Sequence, residues 1–483
     1  MNETTTPITL IVNGDEQRLS VGKKENLLEA LRRLSLFSVK RGCDTGGCGV
    51  CVVLLDGKPI RSCVALAVEV NGQAITTVEG LSEEGKLHPI QQAFVETGAI
   101  QCGFCTPAQI LVAKALLDEN PNPREVGIRE ALSSVLCRCT GYVRTVEAVQ
   151  RAAAALRGET LAPISIPEGT LPKNINEIQL PEVYYRRGDD RDPLPPLVLS
   201  PPDMEKTRVL GKPEVKVDAP KLAQGKPVFT ADLHMEGMLY AALLTSPRAH
   251  ARIKRIDASQ ARGLPGVHAV LTYEDLPRIK YASGGQSYPQ PLPYDQVCLD
   301  KKVRHVGDRV AVVAAETLEI AEKALHLIDV EYEILPAVLD PEQAMRDAAP
   351  VIHDEDDTGG IFDVQHNIVH HIEAEVGDVG AAFASAEHVF EGEYRTPKQQ
   401  HAHLEPHVCI TYFDEDDRLV IRTSTQVPVH IRRIVATLVG LPVKTRGSLF
   451  PNDHQNQTPS LHGIYPHTGV HQLTQPASEY STI

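Results

Sequence analysis

The stretch RGCDTGGCGVC, residues 41–51, decides how the first part of this chain folds. Cys43, Cys48 and Cys51 stand in C-x4-C-x2-C spacing, and Cys63 follows after one strand-sized interval. Four thiolates spaced in this way suit a plant-type [2Fe–2S] cluster. Gly42, Gly46, Gly47 and Gly49 lie beside or between the cysteines. A backbone wrapped tightly round a cluster needs residues free to take positive φ and N–H groups turned toward sulfide. The competing reading is a zinc knuckle. Zinc usually takes close pairs of cysteines, whereas three of these sit in one glycine-rich loop.

Upstream of that loop, Ile8–Val12 alternates as a strand, Asn13-Gly14 signals a hairpin, and Gln17–Val21 is the return strand. Glu25–Leu34 puts Leu27, Leu28, Leu31 and Leu34 on one helical face. Downstream, Val52–Leu55, an Asp56-Gly57 turn and a strand leading to Cys63 complete the pattern. A small sheet crossed by one helix, with the cysteine loop at its edge, is a ferredoxin-like β-grasp, expected over residues 1–82.

From His88 the pattern turns helical. Thr106-Pro107 opens a helix that NPNP at 120–123 stops, Arg124–Leu136 forms another, and Tyr142–Leu156 a last one ending at Gly158. Residues 83–157 are therefore expected as a helical domain. A second thiol set, Cys102, Cys105, Cys137 and Cys139, falls at two helix starts, where the positive helix end favours thiolate. Its C-x2-C and later C-x-C spacing suits either zinc or a second cluster.

The chain has 483 residues, enough for about three domains. Charged residues at 23% and hydrophobic ones at 42% are ordinary for a globular protein, and the net charge of -15 disfavours nucleic acid and anionic membranes as partners. The N-terminus MNETTTPITL lacks basic and apolar regions, so no secretory signal is expected, and no apolar run is long enough to span a bilayer. With ten cysteines, a cytoplasmic location and metal ligation are expected rather than disulfides. Cys298 and Cys409 are expected as small buried hydrophobes.

Residues 158–220, rich in proline and charge, are expected as a linker. Beyond it a mixed α/β domain runs over 221–345, with strands at Leu239–Thr245, Val267–Thr272, Arg309–Ala314 and Asp329–Tyr332 and a helix at Leu318–Leu327. HDEDD at 353–357 is expected as a solvated acidic loop, and a strand-rich segment follows from Asn367 to Val443. In QQHAHLEPH, residues 399–407, a strand would put His401, His403, Glu405 and His407 on one face, which admits a zinc hydrolase site. From 446 to 483 the chain is rich in His, Gln, Pro, Ser and Thr, is expected to be poorly ordered, and holds His467 and His471 at a chance helical spacing.

With both thiol sets in view, the chain resembles the xanthine dehydrogenase/aldehyde oxidase family of molybdenum hydroxylases. RGCDTGGCGVC, AIQCGFCTP and LCRCTGY occur in the family's order and spacing, with Ala108 where the family usually has glycine. Residues 240–270 and 303–317 resemble its α/β-hammerhead domain; 399–407 and TSTQVP at 423–428 resemble the opening of its molybdopterin-binding domain. The resemblance implies an α+β multidomain fold: β-grasp, four-helix [2Fe–2S] domain, hammerhead, and a partial molybdopterin-binding domain over 346–445.

It implies two [2Fe–2S] clusters, an outer one on Cys43, Cys48, Cys51 and Cys63 and an inner one on Cys102, Cys105, Cys137 and Cys139. Gln399 then falls beside the molybdenum's apical oxo ligand, and Gln101 between the inner cluster and the pterin. The expected reaction is oxidative hydroxylation of an aldehyde or N-heterocycle such as a purine. No flavin domain fits within the linker, so the resemblance implies a separate flavin subunit or another electron acceptor. The family's GGGFGGK-type loop and glutamate base do not follow GLPVK, so no catalytic base is expected in this chain. Expected partners are a small-molecule substrate and a downstream-encoded molybdopterin-binding chain, with a homodimer for the complete enzyme. The alternative is an electron-transfer module that docks a separate catalytic chain.

Overall fold

The computed structural model describes residues 5–162, 214–283, 292–357, 359–374, 376–425 and 427–441. The expected tail, 446–483, and the middle of the expected linker, 163–213, lie outside these residues. The chain divides into two units, Met1–Val228 with Ala374–Pro406, and Phe229–Glu373 with His407–Ile483.

The first unit opens with β1 (Thr5–Val12) and β2 (Asp15–Gly22), an antiparallel hairpin closed at Asn13 and Gly14. Their φ values of 52° and 93° are both positive, as the tight hairpin turn demands. Ile8, Leu10 and Val12 are buried on alternate positions while Ile11 is exposed, the period of a one-sided strand. α1 (Leu27–Arg33) begins with reciprocal bonds between Asn26 and Glu29, at 3.0 and 3.4 Å. β3 (Val52–Leu55), β4 (Lys58–Arg61) and β5 (Ala74–Thr76) complete a mixed sheet in the order β2-β1-β5-β3-β4. β1 and β5 run parallel, and the other neighbours are antiparallel. Leu27 and Leu31 of α1 pack on Leu10, Val53 and Ile75. Each such leucine contributes about 1.5–3 kcal/mol by leaving water. This is the expected β-grasp.

Four helices follow: α2 (Pro89–Glu96), α3 (Thr106–Glu119), α4 (Glu125–Leu132) and α5 (Val143–Leu156). Several boundaries differ from expectation, α4 and α5 each beginning one residue later, at Glu125 and Val143. Cys105, not Thr106, is the residue preceding α3. α4 stops at Leu132 rather than Leu136, because the Ser133 and Ser134 hydroxyls turn back onto the carbonyls of Glu130 and Ala131 at 2.7 and 2.8 Å. After the stretch at 163–213 comes α6 (Ala219–Ala223), which packs on α2 and α3. The expected linker is thus described only at its ends, and its last two residues begin α6.

The second unit contains β6 (Tyr240–Thr245), β7 (Ala251–Asp257), α7 (Ser259–Arg262), β8 (Val267–Thr272), β9 (Lys302–Val303), β10 (Arg309–Ala315), α8 (Leu318–Leu325), β11 (Asp329–Ile334) and α9 (Pro341–Ala344). They form two antiparallel three-stranded sheets, β6-β10-β8 and β11-β7-β9. Ala321 and Ala324 of α8 pack with Ala311, Val313 and Ala315 of β10, small residues that bring the helix close to the sheet.

HDEDD at 353–357 is not a freely solvated loop. Lys302, 2% exposed, donates to Asp354 at 2.6 Å and to the Ile352 carbonyl at 2.7 Å. Arg304 pairs with Glu355, and Arg278 and Lys280 each reach Asp357 at 2.9 Å. Burial opposes ionisation of Glu355, but the His353 hydrogen bond and the Arg304 charge outweigh it and hold the carboxyl well below the usual range. The basic partners lie some fifty to eighty residues upstream in sequence, so a local charge count missed them.

α10 (Val379–Ser385) belongs with the first unit; β12 (Cys409–Phe413), β13 (Leu419–Thr423) and α11 (Pro428–Leu438) belong with the second. β12 and β13 pair antiparallel and are the only strands described in the segment expected to be strand-rich. Residues 386–400 are exposed and find no partner strand, and a ladder needs one.

Candidate metal centres

Both thiol sets lie in the first unit. Cys43 and Cys48 sit in the loop between α1 and β3, Cys51 directly precedes β3, and Cys63 follows β4. Positive φ at Gly46 and Gly49, 72° and 74°, bends this loop back on itself. The thiols meet in twos, Cys43 with Cys48 and Cys51 with Cys63. Cys48 and Cys51 are buried, and Cys43 and Cys63 are half-buried. The rim of the loop, including Asp44, Thr45 and Val64, faces solvent.

Burial alone would raise the Cys43 thiol, but hydrogen bonds from Cys48 and Thr45 outweigh it and bring it down to about 6. Burial pushes Cys48 up to about 11 and, together with the neighbouring Cys51, Cys63 up to about 12. Crowded thiols ionise at one another's expense. A cation that replaces their protons relieves that conflict.

The inner set is assembled differently. Cys102 and Cys105 flank Gly103 and Phe104 just before α3, while Cys137 and Cys139 lie between α4 and α5. Cys102 meets Cys139 with sulfurs 3.6 Å apart, and Cys105 meets Cys137. The Cys139 hydrogen bond, acting against burial, lowers the Cys102 thiol to about 7. Contacts from Cys105 and Cys139 draw Cys137 far down; the Cys137 contact raises Cys105, and contacts with Cys102 and then Cys137 raise Cys139.

Polar side chains hold this second turn in shape. The Cys137 N–H donates to the Tyr142 hydroxyl at 2.7 Å, which donates to the Val135 carbonyl at 3.2 Å. Tyr142 does this from a left-handed backbone, φ 66°, a conformation that costs an L residue about 1–2 kcal/mol. Thr140 Oγ1 lies 3.2 Å from Cys137 Sγ. The two loops also touch. Leu136 N–H donates to the Cys48 carbonyl at 2.8 Å, and a side chain on Gly49 would collide with the Ser134 carbonyl.

Arg138, between Cys137 and Cys139, reaches a distant part of the chain. Its Nε donates to the His401 carbonyl at 2.6 Å and its Nη2 to the Gln400 carbonyl at 2.7 Å. A planar guanidinium suits two adjacent acceptors. The Leu404 carbonyl packs near Gly42 and Phe104. Gln399 is therefore anchored beside the inner loop through its neighbours and is itself exposed; Gln101, next to Cys102, is exposed too. Nothing in the sequence marked Arg138 or Tyr142 apart from the motif LCRCTGY that contains them.

His401, His403, Glu405 and His407 do not share a strand face. No strand forms there, Ala402 takes φ 49°, and Glu405 is buried while the three histidines are exposed. Among the described residues, no three His, Cys, Asp or Glu side chains converge as a single-ion site requires. Four thiols gathered at each of two places fit a diiron cluster. Cys409 is buried and pushed up to about 12, the inert thiol expected; Cys298 is half-buried, with burial raising it.

Four families match the chain. They are the 2Fe-2S iron-sulfur cluster binding domain over residues 10–77, the [2Fe-2S] binding domain over 77–150, the aldehyde oxidase and xanthine dehydrogenase a/b hammerhead domain over 224–336, and the molybdopterin cofactor-binding domain over 361–445. None of them is a flavin domain. The probable hypoxanthine oxidase XdhD of Escherichia coli K12 is 34% identical over 462 residues, covering 90% of this chain and 45% of that protein. The small FeS subunit of nicotinate dehydrogenase from Eubacterium barkeri is 46% identical over 153 residues, 32% of this chain and 96% of that subunit. The large molybdopterin subunit of the same enzyme is 39% identical over 236 residues, 49% of this chain and 52% of that subunit. Among solved structures, aldehyde oxidoreductase from Desulfovibrio gigas superposes with a TM-score of 0.71 at 30% identity, covering 91% of this chain and 45% of the other. The chain thus spans about half the length of the longer relatives it matches. In order and in matched extent, its domains are those of the xanthine dehydrogenase/aldehyde oxidase family, and the chain belongs to these molybdenum hydroxylases.

Proposed function

We propose that this chain is the electron-conducting part of a molybdenum hydroxylase that oxidises an aldehyde or an N-heterocycle. The observation that carries the reading is the contact between the two thiol loops. The hydrogen bond from Leu136 N–H to the Cys48 carbonyl joins a neighbour of one inner thiol to one outer thiol. The eight cysteines would hold two clusters, the outer on Cys43, Cys48, Cys51 and Cys63 and the inner on Cys102, Cys105, Cys137 and Cys139. When bound, the clusters supply one-electron acceptors and the molybdenum–pterin group the two-electron oxidation of substrate.

The protein's own part is orientation. Arg138 holds the 400–401 backbone against the inner loop, and Gln399 and Gln101 are the residues here that would meet the pterin. Tyr142 and Thr140 fix the Cys137 turn. The solvent-facing rim near Cys43 and Val64 is where a separate flavin subunit or another acceptor would dock to take electrons. No helix among the described residues is long and apolar enough to cross a membrane. We place the reaction in the cytoplasm.

Anaerobic reconstitution tests the reading. About four iron and four labile sulfide per chain, with two distinct EPR signals on reduction, are expected. An iron-free chain would end it. A second reading is favoured by the relatives that divide iron–sulfur and molybdopterin parts between subunits: the chain docks a separate catalytic polypeptide. Activity that appears only when such a polypeptide is added supports this version.

A further inference from the structure

α6 is a short helix, yet it is tied down on several sides. Ala219, Leu222 and Ala223 are 1%, 2% and 0% exposed. Gln91, fully buried on α2, donates its Nε2 to the Ala223 carbonyl at 3.0 Å and to the Val78 carbonyl at 3.3 Å. Gly225, just past the helix with φ 72°, is pressed against the side chains of Ser38, Val78 and Glu79.

The decisive contact is at Gly103. This residue sits in the middle of the inner C-x2-C turn with φ 85°, and a Cβ on it would fall inside the Leu222 side chain. The isobutyl group therefore lies directly on the backbone of the Cys102–Cys105 turn. On that turn the Phe104 N–H donates toward the Cys102 sulfur, which a cluster would share.

We propose that α6 is the water-excluding cover of the Cys102–Cys105 side of the inner thiol site, with Leu222 as its positioning residue. Solvent exposure and hydrogen bonds to sulfur both set the potential and lability of an iron–sulfur cluster. An apolar side chain over the turn keeps water from its backbone on the side of Cys105, which is 5% exposed, and leaves the N–H groups beneath it to bond sulfur. The proposal rests on the inner set holding a cluster, as proposed above.

The test uses the full chain with both clusters assembled. Leu222→Ala opens the cover, Leu222→Val opens it less, and Val149→Ala makes a hole in the buried face of α5. Two readouts are followed: iron loss to an added chelator, and deuterium coupling on the inner cluster's EPR signal after transfer to heavy water. Leu222→Ala should release inner-cluster iron roughly tenfold faster and show stronger deuterium coupling. Leu222→Val should fall between it and the parent, with the outer signal unchanged in both. Equal rates for Leu222→Ala and the parent overturn the cover. So does equal acceleration by Val149→Ala, or loss of both clusters together. A parent chain lacking the second EPR signal would instead defeat the cluster reading itself.

Discussion

In the outer set three thiols come from one loop bent by glycines, and the fourth from the end of the next strand pair. In the inner set two turns separated by α3 and α4 must meet, and Tyr142, Thr140 and Arg138 hold the second of them. A loop that closes on itself needs only backbone freedom. Two turns brought from a distance need side chains to set their register. The outer site should accordingly depend on its own few residues, and the inner one on the whole helical domain around it.

The sharpest way to break this comparison is Cys105→Ser. It should abolish the inner EPR signal and leave the outer signal at full intensity; loss of both would mean that the sites are not independent. Gly49→Ala comes next, because it attacks a place where the loops press together. A Cβ there meets the Ser134 carbonyl from a left-handed backbone. Strain and overpacking together should cost about 2–4 kcal/mol in thermal or denaturant unfolding and disturb both signals.

Tyr142→Phe should act on one side alone. Without the hydroxyl, the Cys137 N–H and the Val135 carbonyl lose a partner, at about 1–2 kcal/mol. The inner signal should broaden while the outer one stays as it is.

The smallest effect expected is from acid. Glu96 on α2 bonds Arg151 on α5 at 2.6 Å. Burial opposes its ionisation, but Gln92 and Arg151 outweigh it and lower its pKa. A carboxyl depressed by folding adds stability above its unfolded pKa and loses it as pH falls through the folded one. Below about pH 4 the helical domain should therefore lose up to about 1 kcal/mol that Glu96→Gln has already lost. Melting curves of the two proteins should converge as pH drops from 6 to 3.

The same contrast explains what was legible in the chain. The β-grasp and its thiol loop follow from local signals: alternation at Ile8–Val12, Asn13-Gly14, a leucine face and glycines among cysteines. The inner thiols were visible as residues, but their spacing alone admitted zinc, since their pairing depends on how α3, α4 and α5 pack. The histidine run at 401–407 misled because its alternation assumes a strand, and no neighbouring strand pairs with it. Lys302 to Asp354 and Arg138 to Gln400 join positions with no sequence pattern in common. α4 ran short because two serine hydroxyls compete for helix carbonyls, a choice that periodicity does not record.

The grip of Arg138 on Gln400 spans 262 positions of sequence. At translation rates of roughly 5–20 residues per second, the ribosome needs on the order of tens of seconds to supply the far end. Throughout that interval the nascent helical domain has its cysteines in place and the guanidinium unengaged. Until Gln400 and His401 emerge, the inner loop therefore lacks the anchor that those two carbonyls give it.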